Sequence, residues 1–171
     1  MAINGGRPVD RRAVPHLFVR DAAEAAEFYQ RAFGASELYQ TALPGGGGRH
    51  VHLQVQDSVV LVTDENPELD AMIKAQAQGE NTSSLRAPLS LGATSVLLEM
   101  YVDDVDAAFQ QAVAAGATVR MPVSDMFFGD RYGQLTDPYG HVWALATATE
   151  NLNPAEAEAR MQAALPPQSG T

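Results

Sequence analysis

The side chains able to do chemistry in this chain follow strand spacing. In "RHVHLQV" (49–55), His50, His52 and Gln54 alternate with Val51, Leu53 and Val55. Successive side chains of a strand point to opposite faces, so the two imidazoles and the amide share one face and the aliphatics the other. The polar face can serve a ligand or metal site, or it can simply be solvated. A third imidazole, His16, stands in "AVPHLFVR", and a carboxylate, Glu99, stands 83 positions later in "SVLLEMYV". An imidazole beside a carboxylate has its pKa raised, and lowers that of its partner. Such a pair can hold a ligand hydroxyl or amide, move a proton, or only satisfy itself as a buried polar contact. His141 follows a turn, where it caps a hairpin or faces solvent. No nucleophile signature is present. There is no cysteine, and no Ser-His-Asp arrangement that spacing supports. The run "GGGG" at 45–48 precedes neither Lys-Ser/Thr nor a helix, so it is not a phosphate loop.

Composition narrows the function classes. The chain has 171 residues, is 46% hydrophobic, and carries a formal net charge of −10. An acidic surface repels phosphate backbones, and no polybasic stretch or long apolar run suits a membrane, so neither nucleic acid nor membrane is an expected partner. The absence of cysteine excludes disulfides and thiolate ligands. No apolar signal core marks "MAINGGRPVDRR" for export, so a cytoplasmic location is expected.

The elements that must position these groups repeat. A strand (13–20) leads into a helix opened by Asp21 with Glu24 and closed by Gly34. Strands at 36–43, 49–55 and 58–63 follow. After residues 64–93, where Pro67 opens a short helix, the order recurs. A strand at 95–102, a helix from Asp104 to Gly116, a strand at 117–123, and a hairpin of "DRYGQLT" with "HVWALAT" complete it. Val19 and Asp21 recur as Val102 and Asp104, 83 residues on. Two tandem βαβββ units explain this spacing. The expected division is an arm (1–12), a first module (13–63), a linker or lid (64–93), a second module (94–150), and a C-terminal helix and tail (151–171). Asn153 caps that last helix, and Pro154 takes its first position.

These modules, together with "EFYQRAFGA" and "GDRYGQLTDPYGHVWALAT", resemble the vicinal oxygen chelate superfamily of glyoxalases, bleomycin-resistance proteins and extradiol dioxygenases. The PhnB-like branch is the closer likeness. The resemblance implies an α+β fold in which two modules form curved sheets around a cavity, with helices outside and a C-terminal helix added. It also implies a small-molecule ligand and a homodimer. Metal-dependent relatives place His or Glu on the first and last strands of each module. Carried over, those positions are Val14, Leu61, Leu97 and Ala144, none of which can ligate an ion.

The resemblance therefore implies a binder without the standard metal, with no cofactor, enclosing an aromatic or amphipathic ligand in the manner of resistance proteins that sequester antibiotics. His16 and Glu99 would meet near the cavity centre. Phe18, His50, His52, Tyr101, Phe127, Phe128 and Arg131 would contact the ligand. The aromatics stack on it or are plain core, and Arg131 clamps an acidic group or pairs with Asp130 or Asp125. The alternative is a lyase, isomerase or cyclase. It would use His16 and Glu99 as acid and base, or a displaced divalent metal held by His16, His50 or His52, and Glu99.

Overall fold

The structure is a computed structural model and describes residues 3–4, 7–8, 13–76 and 84–164. The expected arm at 1–12 falls largely, and the end of the expected tail from 165 on wholly, outside the described residues. Within the arm, a short ribbon pairs β1 (Ile3–Asn4) with β2 (Arg7–Pro8).

Each module builds one four-stranded sheet. The first contains β3 (His16–Val19), α1 (Ala22–Phe33), β4 (Ser36–Ala42), β5 (Arg49–Val55) and β6 (Ser58–Asp64), with strand order β3-β6-β5-β4. After α2 (Pro67–Gln76) and the single-turn α3 (Pro88–Leu91), the second contains β7 (Leu97–Tyr101), α4 (Val105–Ala115), β8 (Thr118–Asp125), β9 (Asp130–Thr136) and β10 (Val142–Ala148), with order β7-β10-β9-β8. First and last strands pair in parallel in both modules, and the other pairs are antiparallel. The expected α+β architecture of two βαβββ modules is what forms, with the sheets left unclosed and α5 (Pro154–Ala164) added at the end. Among the described residues, no helix is long and apolar enough to cross a membrane.

The caps act as expected. Asp21 Oδ1 accepts from the Ala23 and Glu24 amides at 3.0 and 2.9 Å, and Gly34 leaves α1 at φ +65°. Asp104 Oδ1 accepts from the Ala107 amide at 3.0 Å to start α4. α1 buries Ala25, Phe28, Tyr29, Ala32 and Phe33. It packs on α4, and one core runs through both modules, from Leu17, Val51 and Val62 to Phe109, Leu135, Trp143 and Leu145.

The linker is tied down at its second end. Glu65 accepts from Arg86 Nε at 2.8 Å, from the Ala87 amide at 3.0 Å, and from the Ser90 hydroxyl at 2.5 Å. This carboxylate holds residues 86–90 against the end of β6.

Candidate functional site

Strand alternation gives each sheet two unlike faces. In the first module Leu17, Val19, Val51, Leu53, Val60 and Val62 face the helices. The opposite face is read from the register as two rows. Phe18, Thr63, His50 and Thr41 form one, and His16, Leu61, His52 and Tyr39 form the other.

Polar groups on this face join into a chain. His16 Nε2 lies 2.6 Å from Thr63 Oγ1, and His50 Nδ1 lies 2.5 Å from the same oxygen. His50 Nε2 lies 2.7 Å from His52 Nε2. The chain turns around Leu61, which the register places between His16 and His52. Phe18 stacks on His16 with ring centroids 4.7 Å apart, and Tyr39 meets His52 edge-on at 5.4 Å. Burial, then the neighbouring His50 and His52 rings, hold the His16 pKa below the ordinary histidine value. Burial, then His52, does the same for His50. His16 and His50 are therefore neutral near pH 7, and a neutral imidazole can donate from one nitrogen and accept at the other.

The second module carries the equivalent rows with different chemistry. Tyr101, Ala146 and Tyr132 stand where the first module has Phe18, Thr63 and His50, and Glu99, Ala144 and Gln134 stand where it has His16, Leu61 and His52. Tyr101 donates its hydroxyl to Asp130 Oδ2 at 2.7 Å. That bond, then burial, pushes the phenol pKa up to about 12. Gln134 Nε2 donates to the Tyr132 hydroxyl at 2.9 Å, and Arg120 Nε donates to Gln134 Oε1 at 3.1 Å. Tyr132, Ala144 and Ala146 form a second small cluster with Met121, Met126 and Phe128. Phe128 packs on this face, and Phe127 packs edge-on against Phe128 in the hairpin turn at 5.2 Å.

One expectation is corrected, and one of two alternatives for Arg131 forms. His16 and Glu99 occupy equivalent places but do not pair, because equivalence across two sheets is not proximity. His16 bonds within its own sheet to Thr63 and lines a groove of about 350 Å³ with Phe18, Arg86, Leu91, Val96 and His141. Glu99 lines another groove, of about 590 Å³, with Tyr101, Pro15, Val60 and Trp143. For Arg131 the ion-pair alternative with Asp125 is the one that forms. Arg131 alternates with Tyr132 on β9 and so points to the helix side, where Nε and Nη2 grip Asp106 of α4 at 2.6 and 2.8 Å and Nη1 reaches Asp125 at 3.0 Å.

The standard metal corners do not fit an ion. Ala144 is fully buried, Leu61 sits between the His16 and His52 strand positions, and Val14 and Leu97 are likewise hydrocarbon. Among the described residues no three His, Asp or Glu side chains are grouped to hold a metal ion, and His16 Nε2 and His50 Nδ1 are both turned to the threonine.

Three residues carry more than sequence reasoning gave them. Thr63 joins the histidines, and its alternation with Leu61 is the signal that places it on their face. His141 is buried and bonds through Nε2 to the Phe18 carbonyl at 3.1 Å, tying the second module's last hairpin to β3. Asp137 is buried at 4% exposure and accepts four bonds. The Tyr29 hydroxyl (2.7 Å) and the Trp143 indole (3.0 Å) reach Oδ2, and the Tyr139 and His141 amides (2.9 Å each) reach Oδ1. It fixes the turn that carries His141 to a helix of the other module.

A family model described as "Glyoxalase/Bleomycin resistance protein/Dioxygenase superfamily" matches residues 11–145. An uncharacterized protein of Mycobacterium bovis, Mb0911c, is 39% identical over 161 residues, covering 94% of this chain and 96% of that one. TioX from Micromonospora sp. ML1 is similar in structure with a TM-score of 0.58 at 25% identity, over 81% of this chain and 99% of that one. A mutant of the fosfomycin resistance protein FosX from Listeria monocytogenes, complexed with Mn(II) and 1S,2S-dihydroxypropylphosphonic acid, shares the fold with a TM-score of 0.54 at 14% identity, over 90% and 99%.

Proposed function

The chain belongs to the Glyoxalase/Bleomycin resistance protein/Dioxygenase superfamily, and from that premise we propose that it binds an aromatic or amphipathic small molecule without the family's usual metal. The observation that carries this reading is the hydrocarbon set Val14, Leu61, Leu97 and Ala144 at the positions where metal-dependent relatives place ligands. A divalent ion needs nitrogen, oxygen or sulfur donors. Around these positions stand groups suited to a flat ligand: Phe18 on one face, and Tyr101, Tyr132 and Phe128 on the other. The net charge of −10 favours a cationic ligand. Tyr101 is 58% exposed and Leu97 41% in the single chain, and a homodimer would cover them.

The test is a thermal-shift screen with cationic aromatic antibiotics, run on protein dialysed against a chelator and again with added Zn, Mn or Ni. A ligand that binds the native state raises the unfolding temperature with the logarithm of its concentration. The reading expects a shift that is the same with and without metal. A shift that occurs only with metal overturns it.

A second reading, a lyase, isomerase or cyclase, is favoured by His16 and His50 of the first module, whose lowered pKa keeps them neutral, since neutral imidazoles can act as acid and base. In that case activity on an α-keto compound is lost in His16→Ala and retained in Glu99→Ala, because Glu99 stands apart from these histidines.

A further inference from the structure

We propose that the open face of the second module carries a seat for a protonated amine, formed by Asp130 and Glu99 around the Tyr101 hydroxyl, and that the ligand is an arylalkylamine held there by its ammonium. This rests on the small-molecule binding reading above and names the chemical class the site takes.

The observation that points to a ligand is a buried carboxylate without a counter-charge. Asp130 is 9% exposed. It alternates with Arg131 on β9, so it shares the face of Tyr132 and Gln134. Its Oδ2 accepts from the Tyr101 hydroxyl at 2.7 Å, and among the described residues nothing donates to its Oδ1. A carboxylate this far out of water is ordinarily met by a cation or by several donors. Asp137 has four donors; Asp130 has one. The phenol is no substitute for a counter-charge. Its bond to Asp130, then burial, then the charges of Asp130 and Glu99 push its pKa up to about 12, so it stays neutral.

The arginines nearby are engaged elsewhere. Arg131 points to α4 and holds Asp106 and Asp125. Arg120 of β8 donates to Gln134, and Arg160 of α5 grips Glu150. Among the described residues no Arg, Lys or His is paired with Asp130 or Glu99. Glu99 is exposed and brings a second carboxylate to the same face. Two carboxylates and one neutral hydroxyl attract positive charge. A divalent ion is the wrong cation, because no third His, Asp or Glu joins them. A protonated amine fits, since its N–H groups donate to Asp130 Oδ1 and to Glu99. A quaternary ammonium has no N–H and leaves Oδ1 unmet. The body of the ligand has an apolar bed beside this seat. The groove of about 590 Å³ that holds Glu99 and Tyr101 is also lined by Val60, Met100 and Trp143, and its other charged residues, Asp57 and Asp103, are acidic.

The test is titration calorimetry of the full-length protein with three probes: phenethylamine, its neutral analogue phenethyl alcohol, and its trimethylammonium analogue. The amine should bind about tenfold tighter than either analogue, the scale of one charge-assisted hydrogen bond. Asp130→Asn, which keeps an acceptor for the Tyr101 hydroxyl, should lower amine affinity about tenfold and leave the alcohol unchanged. Glu99→Gln alters an exposed side chain, and should lower amine affinity about threefold. Should Asp130→Asn fail to fold, Glu99→Gln alone decides. Equal affinity for the amine and either analogue overturns the seat. So does an amine affinity that neither variant lowers, and so does no amine binding at millimolar concentration. The metal-independent reading stands or falls separately, on the chelator comparison.

Discussion

Replacing Asp137 by Asn tests whether the groove lined by His16 is held in place by one buried carboxylate. The carboxylate offers acceptors only, and four donors converge on it: the Tyr29 hydroxyl, the Trp143 indole, and the Tyr139 and His141 amides. An asparagine amide has one oxygen and one NH₂, so either orientation aims two of those donors at a donor. With the NH₂ toward Tyr29 and Trp143, the phenol can rotate and accept, but the indole N–H cannot. One buried donor left without a partner costs about 1–3 kcal/mol. For a chain of this length about 2 kcal/mol lowers the unfolding temperature by about 4–8 °C. Asp137→Ala strands the two turn amides as well and costs about twice as much. The assay is urea unfolding followed by fluorescence. Trp143 is the only tryptophan of the chain, so the probe sits on the bond being altered. An Asp137→Asn midpoint within about 0.5 kcal/mol of the native one, the range of an ordinary surface change, refutes the reasoning.

Gly133 has no room for a side chain. A Cβ there would stand 2.7 Å from Phe109 Cε2 and 2.9 Å from Val123 Cγ2, so Gly133→Ala loses about 1–3 kcal/mol by overpacking, read from the same urea curves. Burial is the largest influence on His141, and it outweighs the opposing pull of Asp137 and of the Phe18 carbonyl to lower its pKa; His16 is lowered too. The unfolded chain therefore binds protons first as pH falls below the ordinary histidine value of 6.5, and native stability declines from there toward pH 5. His141→Gln, which keeps a donor for the Phe18 carbonyl but cannot ionise, should show a shallower decline in midpoint against pH, and an unchanged slope counts against the assignment. Arg131→Ala should leave ligand affinity unchanged by titration calorimetry, since its guanidinium faces α4, whereas a tenfold loss would return it to the ligand face.

What could be read from the chain was set by periods and caps. The spacing of Val19 and Asp21 against Val102 and Asp104 gave the duplication, and the capping bonds of Asp21 and Asp104 form at the residues that start α1 and α4. Alternation in "RHVHLQV" put His50 and His52 on one face, where they are found together. Contacts between distant segments are a different kind of information. Asp137 reads in sequence as the first residue of a turn, and it is one, yet its bond to Tyr29 spans 108 positions and nothing local announces it. A carboxylate that begins a turn is usually solvated. Here the aromatic layer of Phe28, Tyr29, Phe33 and Trp143 packs around the turn and leaves four donors that need an acceptor.

The failed pairing of His16 with Glu99 follows from the same limit. Duplication fixes which strand position each occupies, and both do face away from the helices, yet a hydrogen bond acts only over about 3 Å. Within its own sheet His16 has a hydroxyl in that range, because the parallel register of β3 on β6 brings Thr63 diagonally across from it. Glu99 has no hydroxyl on the last strand, since Ala146 stands in the threonine's place, and it meets instead the Tyr101 hydroxyl of its own strand, which is shared with Asp130. One substitution between the two halves, threonine against alanine, therefore decides whether the polar group of the first strand bonds across to the last strand. On a backbone that repeats, the first module gathers histidines on this face and the second gathers tyrosines and Phe128.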